Sequence, residues 1–169
     1  QPARYAAIGD HCTRVSGALF TPREQPTLKV EGAARVGARV VMLAGVADPS
    51  FLAVLPQALR AVQAKVRALL PGPWEVFPHV YGQGAVRPLP SEQRGTHEAG
   101  LVLEFIAPQA DLARTAAGVF KQNLLHHGYP GRVATAGNLA FAFTPSELAA
   151  GEAYRFVLYH VLHGAPLDD

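Results

Sequence analysis

Two stretches of the sequence hold the residues best suited to chemistry. The first is "THEAG" (96–100), which sets Glu98 at the mouth of an apolar run. The second is "HHGYPGRVATAGNLAFAFTPSE" (126–147), where Arg132, Thr135 and Asn138 stand among Gly128, Gly131 and Gly137. An arginine fork can hold a carboxylate or phosphate through two parallel hydrogen bonds. Glycines allow positive φ and let backbone amides come close to an anion. Three glycines in ten residues carry an entropic cost on ordering, which a bound ligand would explain. The same segment also carries Leu139, Phe141 and Phe143, which suit packing on a sheet. Apolar anchors and a ligand-facing polar edge are compatible within one segment.

Other constellations point away from common chemistries. The histidines show no HxH or HExxH spacing and no CxxC occurs, so no metal site is expected. "HVYGQGAV" (79–86) has a GxG after a strand but lacks the third glycine and the helix of a dinucleotide loop. There is neither a phosphate-binding P-loop nor a GxSxG elbow. Glu104 sits inside an apolar strand, where a carboxylate needs a partner, and Arg39 on the neighbouring strand is the candidate.

The chain has 169 residues, 49% apolar and 17% charged, which describes a globular domain with one core. The net charge is +2 and the arginines are scattered, so no nucleic-acid partner is expected. No apolar run reaches the ~18 residues that cross a bilayer. A single cysteine, Cys12, cannot close an internal disulfide and favours a reducing, cytoplasmic setting.

These residues must be positioned by regular elements. "ARYAAIGDHCTRVSG" reads as a hairpin turning at Gly9-Asp10, and Thr27 to Glu31 as a short strand. "ARVVMLAG" (38–45) reads as a buried strand. Asp48-Pro49 starts a helix whose Leu55, Leu59, Val62, Val66 and Leu69 share one face, with Pro56 kinking it or opening a second segment. "WEVFPHVYG" (74–82) reads as an edge strand because Pro78 cannot donate to a ladder, and "LVLEFIA" (101–107) as a buried one. A helix from Asp111 to His127 is capped by Gly128, and the last strand covers 153–164.

The order from residue 38 is β-α-β-β-α-β. The expected fold is α+β, a ferredoxin-like sandwich over 38–169 with an N-terminal hairpin over 1–37 and a long glycine-rich insertion before the last strand. His79 and His160 then fall on opposite edge strands. The closing strand is apolar on both faces, so its second face needs cover from the hairpin, the insertion or another subunit.

At "EGAARVG", "AGVADP", "HVYG", "HEAGLVLEF" and above all "LLHHGYPGRVATAGNLAFAFTPSEL", the chain resembles the acyclic terpene utilisation (AtuA-like) family. The likeness runs from about Arg14 to Gly164 and fits the C-terminal portion of the family's long subgroup. Members are usually longer, so the resemblance implies a fragment or a split subunit. It also implies catabolism of small organic acids, often as coenzyme A thioesters, with no other cofactor. The matching positions are His79, Gly82, His97, Glu98, Gly128, Tyr129, Pro130, Gly131, Arg132, Thr135, Ala136, Gly137 and Asn138, which adds Tyr129 to the ligand-binding candidates.

Two readings follow. In the first, the chain is the site-bearing part of a lyase or hydratase. Arg132 holds the acid, amides near Gly137 and Asn138 stabilise an enolate-like oxyanion, and Glu98 or His127 moves the proton. In the second, it is a non-catalytic assembly module, a homo-oligomer or a partner of the rest of a larger family protein. The second requires Arg132 and Asn138 to be used in internal hydrogen bonds, with a broad apolar contact elsewhere.

Overall fold

Strands β3 (Thr27–Val46) and β5 (Ala99–Ala107) run antiparallel in the computed structural model, which describes residues 3–21, 25–88, 90, 92, 97–133 and 135–164. Their register opposes Ala38 to Ala107, Val40 to Phe105, Met42 to Leu103, Ala44 to Leu101 and Val46 to Ala99. Successive side chains on a strand point to opposite faces, so all of these share one face, and all are buried. The alternate residues, Arg39, Val41 and Leu43 with Val102, Glu104 and Ile106, form the other face and are half-buried.

Helices α1 (Pro49–Leu69) and α2 (Ala110–Leu125) join the buried face in one hydrophobic cluster. Asp48 caps α1, its side chain accepting from Ser50 N at 2.8 Å and Phe51 N at 3.4 Å, with Pro49 in the first turn. Phe51, Leu55, Leu59, Val62 and Val66 follow at helical spacing and are buried. On α2 the buried face is Ala113, Ala116, Ala117, Phe120 and Leu124. Phe120 meets Phe105 edge to face at 5.5 Å. Each such large side chain contributes about 1.5–3 kcal/mol by leaving water.

Trp74 closes the turn after α1. Its Nε1 donates to Leu70 O at 2.8 Å, and the Arg67 guanidinium lies 4.2 Å from its ring centroid. Strand β4 (Glu75–Tyr81) then pairs antiparallel with β5, and β6 (Glu147–His163) completes a four-stranded sheet in the order β4-β5-β3-β6. The fold is mixed α+β, with this sheet, a two-stranded sheet and two helices. Pro78 lies on an outer strand as its missing N–H requires, and His79 and His160 lie on the two outer strands.

The chain divides into two compact units, Ala34–Arg155 and Gln1–Ala33 with Phe156–Asp169. The first holds both helices and the core. The second holds the hairpin of β1 (Arg4–Gly9) and β2 (Cys12–Ser16), the beginning of β3 and the end of β6. Inside it, Lys29 Nζ lies 5.0 Å from the Tyr159 ring centroid, and Gly164 N donates to Pro26 O at 2.9 Å. None of its described residues is buried.

Several local expectations are corrected. Residues 27–31 and 38–45 are not separate strands but parts of one continuous strand, because Gly32 and Gly37 mark close approaches and not turns. A Cβ at Gly37 would lie 2.4 Å from Ala107 O, and one at Gly32 would lie 3.1 Å from Leu158 Cβ. Pro56 does not divide α1. It sits on the exposed side of a single helix, which lacks only the bond its N–H would make. The last strand starts at Glu147, earlier than 153. Gly128 is not the cap of α2, since the helix ends at Leu125 with His126 as its cap and Gly128 has no positive φ. The expected partnership of Glu104 is met, with Arg39 Nε donating to its Oε1 at 2.5 Å.

Gly37 and Gly100 give a paired test. Gly37→Ala drives a methyl into the Ala107 carbonyl and is expected to cost about 1–3 kcal/mol. Gly100→Ala meets only Tyr81 Cβ at 3.6 Å, an ordinary contact, and is expected to stay within about 0.5 kcal/mol of the parent. Urea unfolding of the two variants checks both.

Candidate functional site

A helix ends with carbonyls that have no partner along its own axis. At the end of α2 those carbonyls find Asn138. Its Nδ2 donates to Leu124 O at 3.0 Å and to His127 O at 2.8 Å, while its backbone N donates to Leu125 O at 2.8 Å. Asn138 is only 7% exposed. Gly137 makes this possible. Its φ is +128°, and a Cβ there would lie 2.4 Å from Leu125 Cδ1. Gly131 has a different local cause. Tyr129 O accepts from Arg132 N at 3.3 Å around Pro130 and Gly131, and Gly131 has φ +78°. Pro followed by a positive-φ glycine is the signature of a type II turn.

The segment is fastened at three further points. The Tyr129 hydroxyl donates to Asp48 Oδ2 at 2.5 Å, and its ring packs 5.0 Å from that of Phe51. Gly45 and Ala140 exchange both backbone hydrogen bonds, at 2.7 and 2.9 Å. Lys121 on α2 meets Glu147 at 2.5 Å and donates to Ser146 Oγ at 3.3 Å. Leu139 and Phe141 pack against the core, while Phe143 is exposed.

Electrostatics follow these contacts. The Tyr129 hydroxyl holds the Asp48 carboxyl below its ordinary 3.8, aided by the amides of Ser50 and Phe51 and opposed by burial. The same hydrogen bond, with burial and the Asp48 charge, raises the Tyr129 phenol above 10.0, and Arg132 opposes this. Burial pushes the Glu147 carboxyl upward, but Lys121 and Ser146 together outweigh it, so the net shift is downward from 4.5.

Arg132 is half-buried and its Nη1 donates to His126 O at 3.4 Å. Arg132 Nε and Asn138 Oδ1 are the buried side-chain atoms without a partner among the described residues. His127 is half-buried, and its main chain takes part in closing the helix end. Gly128 and Thr135 are exposed. Glu98 is exposed at the start of β5 and borders a different feature, a cleft of about 430 Å³ that it shares with Gly45, Val102, Ala140 and Phe141. Arg132, His127 and Asn138 do not line that cleft. The structure therefore gathers His127, Tyr129, Gly131, Arg132, Gly137 and Asn138 around the end of α2 and sets Glu98 at another surface. Sequence reasoning missed Asp48, Lys121 and Glu147 as partners of the segment. Asp48 was legible as a helix cap, but nothing local signals a tyrosine 81 positions away.

Among the described residues no group of three or more His, Cys, Asp or Glu is placed to hold a metal ion, and no helix is long and apolar enough to cross a membrane. No family model matches the sequence, and no curated protein and no solved structure shows significant similarity to it.

Two measurements examine the clasp. Asn138→Ala leaves Leu124 and His127 carbonyls without their partner and is expected to cost about 1–3 kcal/mol in urea unfolding. An unchanged midpoint would show that the cap is idle. The Tyr129–Asp48 bond has a signature in pH. A depressed carboxyl contributes stability above pH 3.8 that is lost as pH falls through its lowered folded value. A raised phenol contributes stability below pH 10.0 that is lost as pH rises through its raised folded value. The deficit of Tyr129→Phe should thus be largest between these limits and shrink beyond both, read as thermal midpoints across the pH range.

Proposed function

We propose that this chain is a non-catalytic assembly module, similar to the C-terminal portion of AtuA-like proteins, that joins a second copy of itself through the unit of residues 1–33 and 156–169. The observation that carries this reading is a β unit with no buried residue among those described. Tyr5 is 72% exposed, Phe20 91%, Phe156 74% and Tyr159 69%, and Ile8, Val15, Leu28 and Leu158 are exposed as well. A two-stranded hairpin without cover is marginal in water.

The area suits a second copy. Full burial of one aromatic side chain removes about 150–250 Å². Because Phe156 and Tyr159 alternate onto opposite faces of β6, a second copy has to cover both faces to bury all that these rings and their aliphatic neighbours offer, on the order of 1,000 Å². A stable interface takes about 800 Å² from each partner. No Asp, Glu, Lys or Arg occurs between Phe156 and His163. Along this stretch of β6 a two-fold axis that lays it against itself meets no like-charge repulsion. The use of Asn138 and Arg132 in hydrogen bonds to the end of α2 supports the same reading, because it takes the best ligand-binding side chains into the fold. For the core, a ferredoxin-like arrangement is supported by the sequence β3-α1-β4-β5-α2-β6 and the sheet order β4-β5-β3-β6.

A second reading, the site-bearing part of a lyase or hydratase acting on an organic acid or its acyl-thioester, draws on one observation. Glu98 stands at a cleft walled by Ala140 and Phe141 of the glycine-rich segment. Turnover of an acyl-thioester that disappears in Glu98→Gln would favour it over assembly.

Light scattering on the eluting protein at micromolar concentration tests the assembly reading. A dimer is expected for the native chain. The double substitution Phe156→Lys with Tyr159→Lys is expected to yield a monomer with unchanged far-ultraviolet circular dichroism. A native chain that elutes as a well-behaved monomer overturns the proposal.

A further inference from the structure

The face of the sheet that the helices leave uncovered carries an open cleft of about 620 Å³ within residues 34–155. This falls inside the range of small-molecule sites, about 300–1,000 Å³. Phe77, Ile106 and Tyr154 line it, together with Arg39, Glu104 and Arg155. The register explains the gathering. Phe77 on β4 is opposite Glu104 on β5, Glu104 is opposite Val41 on β3, and Arg39 is opposite Ile106.

We infer that this cleft is a binding site for a small organic monoanion, a carboxylate with an apolar or aromatic tail. Its charged groups are in unequal states. Arg39 gives Nε to Glu104, and His79 Nε2 lies 3.6 Å from the other Glu104 oxygen, so the carboxylate is already served. Arg39 keeps its terminal nitrogens, since a guanidinium has five N–H donors and only Nε is engaged among the described residues. The Arg155 side chain has neither an ion pair nor a hydrogen bond among the described residues. Two guanidinium groups with unused donors thus line a cleft that also holds Glu75 and Glu104 and is otherwise aromatic and aliphatic.

The net lining charge selects the ligand. Arg39 and Arg155 are balanced by Glu75 and Glu104, and Glu75 is itself held by Arg67 at 3.1 Å. A phosphate dianion or a polyphosphorylated carrier would face two carboxylates in the same cleft, whereas a single planar carboxylate matches a guanidinium fork and adds one charge. The tail then takes apolar surface from Phe77, Ile106 and Tyr154. This site is separate from the apolar unit invoked for assembly and does not depend on it.

Calorimetric titration of the full chain with 3-phenylpropionate, its neutral amide and phenyl phosphate tests the inference. The acid is expected to bind, and the amide and the phosphate to bind much more weakly or not at all. Arg155→Gln should weaken the acid by about ten- to a hundredfold, the loss of a charge-assisted contact. Arg155→Lys should recover part of it, and Phe77→Ala should weaken acid and amide alike. Arg155 and Phe77 are exposed, so both variants are expected to keep the native thermal midpoint, which makes the titrations interpretable. No binding of the acid at millimolar concentration, equal binding of acid and amide, a preference for the phosphate, or native affinity in Arg155→Gln would each overturn the proposal.

Discussion

The antiparallel ladder of β3 and β5 is covered by helices on one face only, and the rest of the molecule follows from that asymmetry. Val40, Met42, Phe105 and Leu103 take the covered face with Phe51, Leu55, Phe120 and Leu124 from the two helices. With both helices committed there, the opposite face has to satisfy its own charges. It does so by pairing Arg39 with Glu104 across the ladder at 2.5 Å, at a position about a fifth to a third exposed. An ion pair in that position is neither fully screened nor fully desolvated, so its net contribution to stability is modest. Its larger consequence is a polar patch on the floor of the cleft that Phe77, Ile106 and Tyr154 also line.

The glycine-rich segment answers a need of the same core. Helix α2 ends pointing at nothing regular, and its last carbonyls are buried by the chain that follows. Asn138 supplies the missing donors, Gly137 lets it come close, and Pro130-Gly131 turns the chain so that Tyr129 reaches the cap of α1. Ala140 then pairs with Gly45 at the end of β3, and Lys121 receives Glu147 as β6 begins. A segment that touches α1, α2, β3 and β6 in turn needs apolar anchors as much as turn residues. This is why Leu139 and Phe141 occur beside so many glycines. Gly137 and Gly131 serve the close approach and the turn of the segment itself.

The unit of residues 1–33 and 156–169 obeys a different balance. Its strands are hydrogen-bonded in pairs, and its apolar side chains remain in water. Folded proteins do expose apolar atoms widely, but clusters of exposed rings mark surfaces that bind something. In the proposed assembly, a second copy would supply the burial that this unit lacks.

The sequence by itself determined the elements. Short apolar runs identified β5 and the buried part of β3, Asp48-Pro49 identified the start of α1, and helical spacing identified the buried face of α1. Pro78 on an outer strand and the pairing of Glu104 with Arg39 were also legible, because each is a local rule about a missing donor or a misplaced charge. The length of β3 was misread because glycine in a strand has two meanings, a turn or a close approach, and only the position of Ala107 tells them apart. The role of the segment after α2 was decided by the tertiary structure alone. Asn138 next to glycines has the same chemistry whether it faces a ligand or a helix end, and its partners, Leu124 and His127, contribute backbone carbonyls that carry no side-chain signature. The Tyr129–Asp48 bond spans 81 positions and was invisible for the same reason. Periodicity encodes which face is buried, but which polar groups meet is fixed only when distant elements have packed.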